Sequence, residues 1–177
     1  EAFYTAQETT TLGTANSGIQ IGPVVISEIM HHPVAGDSEW IEIQNISDDA
    51  VKLFNEEHPS HTWRVSGIDF SFPPNTTLDK RGIAILTNDD PDEFRLKNEI
   101  DEDVIVLGPY KGELKNEGEQ IALELPDSPE AGKTEAVYVE VDAVHYRTQP
   151  PWPAGTDGSG LTLVRENVDR FGTDPVH

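Results

Sequence analysis

Short apolar-rich runs, several of them alternating with polar residues, recur along most of this chain. Trp40–Asn45 reads WIEIQN and Gly82–Thr87 reads GIAILT. A period of two places successive side chains on opposite faces of a strand, so such runs predict strands with one buried face. A first strand is expected in VVISEIM, directly after Pro23. Further strands are expected at Glu39–Asn45, Val51–Phe54, Thr62–Val65, Asp69–Phe72, Gly82–Thr87, Val104–Leu107, Gln120–Leu125, Val137–Tyr146 and Leu161–Arg165. Turn formers separate them: Ser47-Asp48-Asp49, Ser66-Gly67, Pro73-Pro74-Asn75, Lys80-Arg81-Gly82 and Asn116-Glu117-Gly118. Each supplies a preset φ or tolerates a positive one. Many short strands at this spacing predict an antiparallel sandwich.

One segment departs from the alternation. In NDDPDEFRLKNE, Asp90 suits a helix cap, Pro91 the first helical position and Glu93 the return half of a capping box. A helix is expected over Pro91–Asn98, with Phe94 and Leu96 as its anchors. This accounts for the acids from Asp89 to Glu93 without a metal. Residues 1–22 are rich in Thr, Ala, Gly and Ser without a period, which predicts a linker or the tail of a preceding domain. The domain is expected over 23–170, followed by a C-terminal linker over 171–177. A chain opening on Glu1 rather than methionine is expected of a piece cut from something longer.

Composition narrows the function classes. The 33 acidic and 12 basic residues leave a net charge of −21. Nucleic-acid affinity comes mostly from Lys and Arg displacing counterions, so no nucleic acid is expected as partner. No apolar run approaches the roughly 18 residues of a membrane span, and none is expected. Cysteine is absent, which removes disulfide, thiol and zinc-thiolate chemistry. An acidic surface of this kind suits a salty, calcium-containing exterior, and equally the cytosol of a halophile.

Candidate chemistry is sparse. Glu28, Asp37, Glu39 and Glu42 could bring carboxylates to one end of the first two strands, and calcium takes about six to eight oxygen ligands. Glu39 and Glu42 are three apart, however, so on a regular strand they point to opposite faces, and all four can share one ion only through a bulge. The competing reading has Glu42 hydrogen-bonded to backbone and the others solvated. His31 with His32, and His58 with His61, offer imidazoles, but neither pair has ligand spacing, and surface histidines are the favoured reading. Ser, His and acid residues are plentiful, yet no Gly-x-Ser-x-Gly elbow or phosphate loop is present; Asp157-Gly158-Ser159-Gly160 reads as a turn. No catalytic residue is therefore assigned. Trp40, Trp63 and Phe72 fall in strands and suit the core. Trp152, inside Gln149-Pro150-Pro151-Trp152-Pro153, sits on a rigid loop and is a possible ligand surface, although folding down to plug the sandwich is favoured. Asn45-Ile46-Ser47 and Asn75-Thr76-Thr77 match glycosylation acceptors.

Taken together in order, several of these motifs resemble a known family. VVISEIMHHPVAGDSEWIEIQNISDDAVKL is similar to the opening of the lamin-tail domain as carried by bacterial secreted and surface proteins. TWRVSGIDFSFPPNTTLDKRGIAIL resembles its middle section, LGPYKGELKNEGEQIALELPD its later hairpin, and VDAVHYRTQPPWPAGTDGSGLTLVREN the end of the bacterial form. The resemblance spans about residues 23–167. It implies an immunoglobulin-like antiparallel β-sandwich, all-β apart from the one short helix. It also implies a non-catalytic binding or structural module of a larger exported protein, at the cell surface or outside it. Its partners would be other domains of the same polypeptide, protein or polysaccharide. No cofactor is required on this reading. A calcium-dependent adhesion module is the alternative, and an accessory domain contributing to a hydrolase site a more distant one. The acidic charge departs from the chromatin-binding role of the nuclear members.

Overall fold

The computed structural model describes residues 7, 9–17, 20–129 and 134–175, so parts of the two expected linkers fall outside it. It is all-β with one short helix. The elements are β1 (Val24–Met30), β2 (Trp40–Asn45), β3 (Val51–Lys52), β4 (Arg64–Ser66), β5 (Phe70–Ser71), β6 (Thr77–Leu78), β7 (Ile83–Thr87), α1 (Pro91–Lys97), β8 (Ile105–Leu107), β9 (Gln120–Asp127), β10 (Val137–His145) and β11 (Leu163–Val164). A five-stranded sheet runs in the order β11-β1-β2-β7-β8 and a four-stranded one β10-β9-β4-β5, while β3 and β6 form a separate ribbon.

Ile26, Ile29, Ile41, Ile43, Ala84 and Leu86 from the first sheet join Val65, Ile121, Leu123 and Val144 from the second in one apolar cluster. A fully buried Ile or Leu stabilises by about 1.5–3 kcal/mol relative to remaining exposed, and this layer holds the sheets face to face. Trp63 and Phe72 belong to it as expected, but Trp40 does not. In β2 the buried positions are Ile41, Ile43 and Asn45, so Trp40 shares the half-covered outer face with Glu42.

The expected purely antiparallel pattern fails at one pair, since β7 and β8 are parallel. A parallel neighbour needs a crossover of a dozen or more residues, and the stretch from Asn88 to Val104, containing α1, provides it. The α1 cap differs in detail from a capping box. The Asp90 side chain accepts from the Asp92 and Glu93 amides at 3.0 and 3.1 Å, but the Asp90 amide donates to Asp89 and not to Glu93. Phe94 is buried, whereas Leu96 is 80% exposed and anchors nothing. That helix is far too short and polar to cross a membrane, and no other described helix could.

Two bulges decide where polar side chains point. Ser27 is an extra residue between the Ile26–Ile43 and Glu28–Glu42 pairs, so both Ile26 and Ile29 reach the core although three apart. Val141 is extra between Glu140–Glu124 and Asp142–Leu123. Leu123 faces the core, and its partner Asp142 therefore turns inward as well.

Candidate functional site

Ionisable groups withdraw from water at two places, a seam and an end of the sandwich. At the seam, the inward turn of Asp142 brings its Oδ2 to the Ile26 amide at 2.9 Å and to Arg165 Nη1 at 2.7 Å. Arg165 follows directly on β11 and also donates to the Ile26 carbonyl at 3.1 Å and to the Arg170 carbonyl. The two side chains are 3% and 5% exposed. Burial pushes the Asp142 carboxyl up, and the adjacent guanidinium and two backbone amides oppose that without cancelling it. This ion pair joins β1, the strand beside the short edge strand β11 in one sheet, to β10, the edge strand of the other.

The second place lies beyond the end of β1 and the start of β2. Glu39 accepts from the Leu114 amide at 3.0 Å and the Tyr110 hydroxyl at 3.4 Å. Tyr146, fully buried, donates its hydroxyl toward the Lys115 carbonyl at 2.9 Å and Glu119 at 3.3 Å. Burial raises the pKa of Glu39, and it raises both tyrosines far above their usual range, with Glu39 and Glu119 adding to the effect. The 115–118 turn presses directly on this site. Gly118 has φ +118°, and a Cβ there would collide with the Tyr146 carbonyl. His31 packs its ring on Tyr146 with centroids 4.9 Å apart and shares a 3.3 Å hydrogen bond with Thr156 Oγ1. Its neighbour His32 pairs through Nδ1 with Asp157 and accepts the Gly158 amide on its carbonyl at 3.1 Å. Together these bonds fasten the segment 152–158 across the end of the sandwich.

The four carboxylates expected to converge are held by different partners. Glu28 and Glu42 stand opposite one another on β1 and β2, Glu28 bound to Thr162 and Glu42 to Ser27. Burial raises Glu42, the Ser27 hydroxyl opposing it and Glu28 adding to it. Asp37 pairs with Lys97 at 2.7 Å and ties α1 to the β1–β2 loop. Glu39 serves the Leu114 amide instead. Among the described residues no three or more His, Asp or Glu side chains are grouped to hold a metal ion.

The histidine expectation needs correction at one residue. His31 is fully buried, because the strap 152–158 covers it; His58 is exposed, with its ring against His61 at 5.3 Å. The Asn45 sequon is likewise not at the surface. That side chain is buried and donates to the Asp49, Leu78 and Asp79 carbonyls, closing the Ser47–Asp49 turn. Trp152 is half-buried and packs on the core, lining an apolar cleft with Ile29, Val144, Leu163 and Pro153. The residues that carry most of this polar architecture, Asp142, Arg165, Tyr110 and Tyr146, stand out in the sequence only as one acid among 33 and ordinary strand residues.

What this arrangement does chemically is fasten. Asp142, Glu39 and Tyr146 each have a backbone or cationic partner that fixes a strand or loop, while Glu42 is held by the Ser27 hydroxyl at 2.7 Å beside the apolar cleft. No family model matches the chain, and neither does any curated protein.

Proposed function

We propose that the chain is a non-catalytic binding and spacing module of a larger exported or surface protein, related to the lamin-tail domain and immunoglobulin-like in its sandwich. The observation that carries this reading is the commitment of the perturbed groups to structure. Asp142 joins the sheets, Glu39 and Tyr146 hold the 110–119 segment, and His31 and His32 hold the strap 152–158. Enzymes keep such groups aimed at a cleft where a substrate atom fits. The acidic surface and the ordered series of motifs along residues 23–167 support an extracellular setting.

The test sets binding against turnover. The purified chain is passed over immobilised polysaccharides and peptides, and offered chromogenic esters, glycosides and phosphodiesters. Retention on a polysaccharide or peptide without turnover is the expected result. Turnover of any substrate that Glu39→Gln abolishes would overturn the proposal. The calcium-dependent alternative draws its support from the facing pair Glu28 and Glu42. It requires a rise in melting temperature with millimolar calcium that sodium chloride does not reproduce, lost in Glu42→Gln.

A further inference from the structure

The strand β10 is an edge in two unequal halves. Its C-terminal half is closed, because Asp142 reaches across to the Ile26 amide and Arg165 seals the gap to β1. Its N-terminal half, Val137–Val141, has β9 on one side and, among the described residues, no strand on the other. Tyr138 stands opposite Pro126. Proline has no N–H to exchange, so this is a position where the ladder makes no hydrogen bonds between the two strands. The Tyr138 N–H and C=O therefore point to the open side, and those of Glu140, two residues on, repeat the pattern. A row of unpaired backbone groups of this kind is a template for another strand.

The side chains on this half are also unfinished. Val137 and Val139 are 45% and 46% exposed although Val139 pairs with Leu125 and so shares the core-side face of the sheet. Leu125, opposite Val139, continues that apolar rail into the core. The charge around it has one sign. The strands β9 and β10 carry Glu124, Asp127, Glu140 and Asp142 and no lysine or arginine. Among the described residues on this half, Arg64 is taken by Glu124 and by the Tyr138 ring, 3.7 Å away. Burial chiefly, with Glu124 and Asp142 adding, pushes the Glu140 carboxyl up.

From these features we infer that the open half of β10 takes up an extended, basic segment of a partner protein by strand addition. Backbone bonds to Tyr138 and Glu140 supply the pairing, alternate apolar side chains cover Val137 and Val139, and lysine or arginine on the other face meets Glu140 and Glu124. A second copy of this chain would bring another −21 of charge to the same edge and is disfavoured for that reason. The inference rests on the reading of the chain as a binding module and names one partner class for it.

Selection of random short peptides on the full 177-residue chain tests it, with Val139→Lys as the comparison surface. Val139 is half-exposed, and the variant's melting curve reports whether it folds. Enriched peptides should alternate apolar residues with lysine or arginine. They should bind the variant about tenfold or more weakly, a loss of roughly 1.4 kcal/mol. N-methylation of alternate peptide amides should abolish binding, whereas a purely electrostatic attraction would survive it. Peptides that bind wild type and Val139→Lys equally overturn the edge assignment while leaving the binding-module reading in place. So does a failure to enrich any peptide when a polysaccharide is retained. Failure of both peptide and polysaccharide retention overturns the broader reading too. Sedimentation of the wild type as a dimer that Val139→Lys dissociates would give the edge to a second copy instead.

Discussion

The seam between β1 and β10 and the end of the sandwich around Tyr146 both withdraw acids from water, but they compensate them differently. Asp142 at the seam receives a full positive charge from Arg165, in a site open to almost no solvent. Glu39 at the end receives only neutral donors, a backbone amide and a phenol. Dry charge pairs are fragile to the loss of one member, since the survivor cannot be left buried and ionised. At the end it is the buried His31, held below its ordinary value, that acid would charge, whereas Glu39 is raised and acts in the opposite sense. The seam should therefore fail by mutation and the end by acidification.

Removing one charge at the seam gives the largest expected effect. Arg165→Met should cost about 3–5 kcal/mol in urea unfolding, while Asp142→Leu with Arg165→Met together should return close to wild type. A double variant as unstable as the single one would show that the seam depends on geometry and not on charge balance. At the end, Tyr146→Phe keeps the ring and removes the donor to Lys115 and Glu119, for an expected loss of about 1–3 kcal/mol. If Tyr146→Phe costs as much as Arg165→Met, the contrast between the two places disappears.

The smallest effect is the dependence on pH, and its sign separates His31 from the acids. Burial, with His32 adding, holds His31 below the usual 6.5, while Asp157 and the Asn116 backbone oppose this. The folded state then binds fewer protons than the unfolded chain at mildly acid pH. The His31 contribution is complete above pH 6.5 and is lost as pH falls through its lowered value. Glu39, Glu42, Glu140 and Asp142 are raised, so they act in the opposite sense, with stability gained as pH falls through their raised values. The stability difference between wild type and His31→Gln, measured by urea titration, should shrink as pH drops below 6.5. A difference that stays constant across that window would remove His31 from the acid response.

Strand β1, the long strands β9 and β10, and helix α1 were legible in the sequence because local signals agreed there: apolar alternation, turn residues at the boundaries, and Asp90-Pro91 at the cap. The two-residue β6 was not, since Thr77-Leu78 is too short to show a period. Nor was the parallel β8, whose direction follows from the crossover and not from its own three residues. The polar sites were the least visible. Asp142 looks like an outward acid on an alternating strand, and only the Val141 bulge turns it inward. His31 and Thr156 are 125 residues apart, and nothing in either one's surroundings announces the other. Burial of Asn45 is invisible locally for the same reason, because its carbonyl partners lie in the 47–49 turn and, more than thirty residues on, at the end of β6.

The antiparallel pairing of β1 with β11 also sets how the domain would respond to force. The chain enters β1 at Val24, and β11 runs from Leu163 beside Ile29 to Val164 beside Glu28, with the Arg165 amide just beyond it on the Ser27 carbonyl. Entry and exit thus lie toward the same end of one sheet edge. Tension applied through the flanking chain would open that edge rung by rung, as a zipper, instead of shearing all its bonds together. The first rung under load is Arg165 on Ser27, and Arg165 is the residue that carries the Asp142 pair. The buried ion pair would then back the last rung of β11, and tension that broke both would free β11 and β10 from β1 while the apolar layer was still intact.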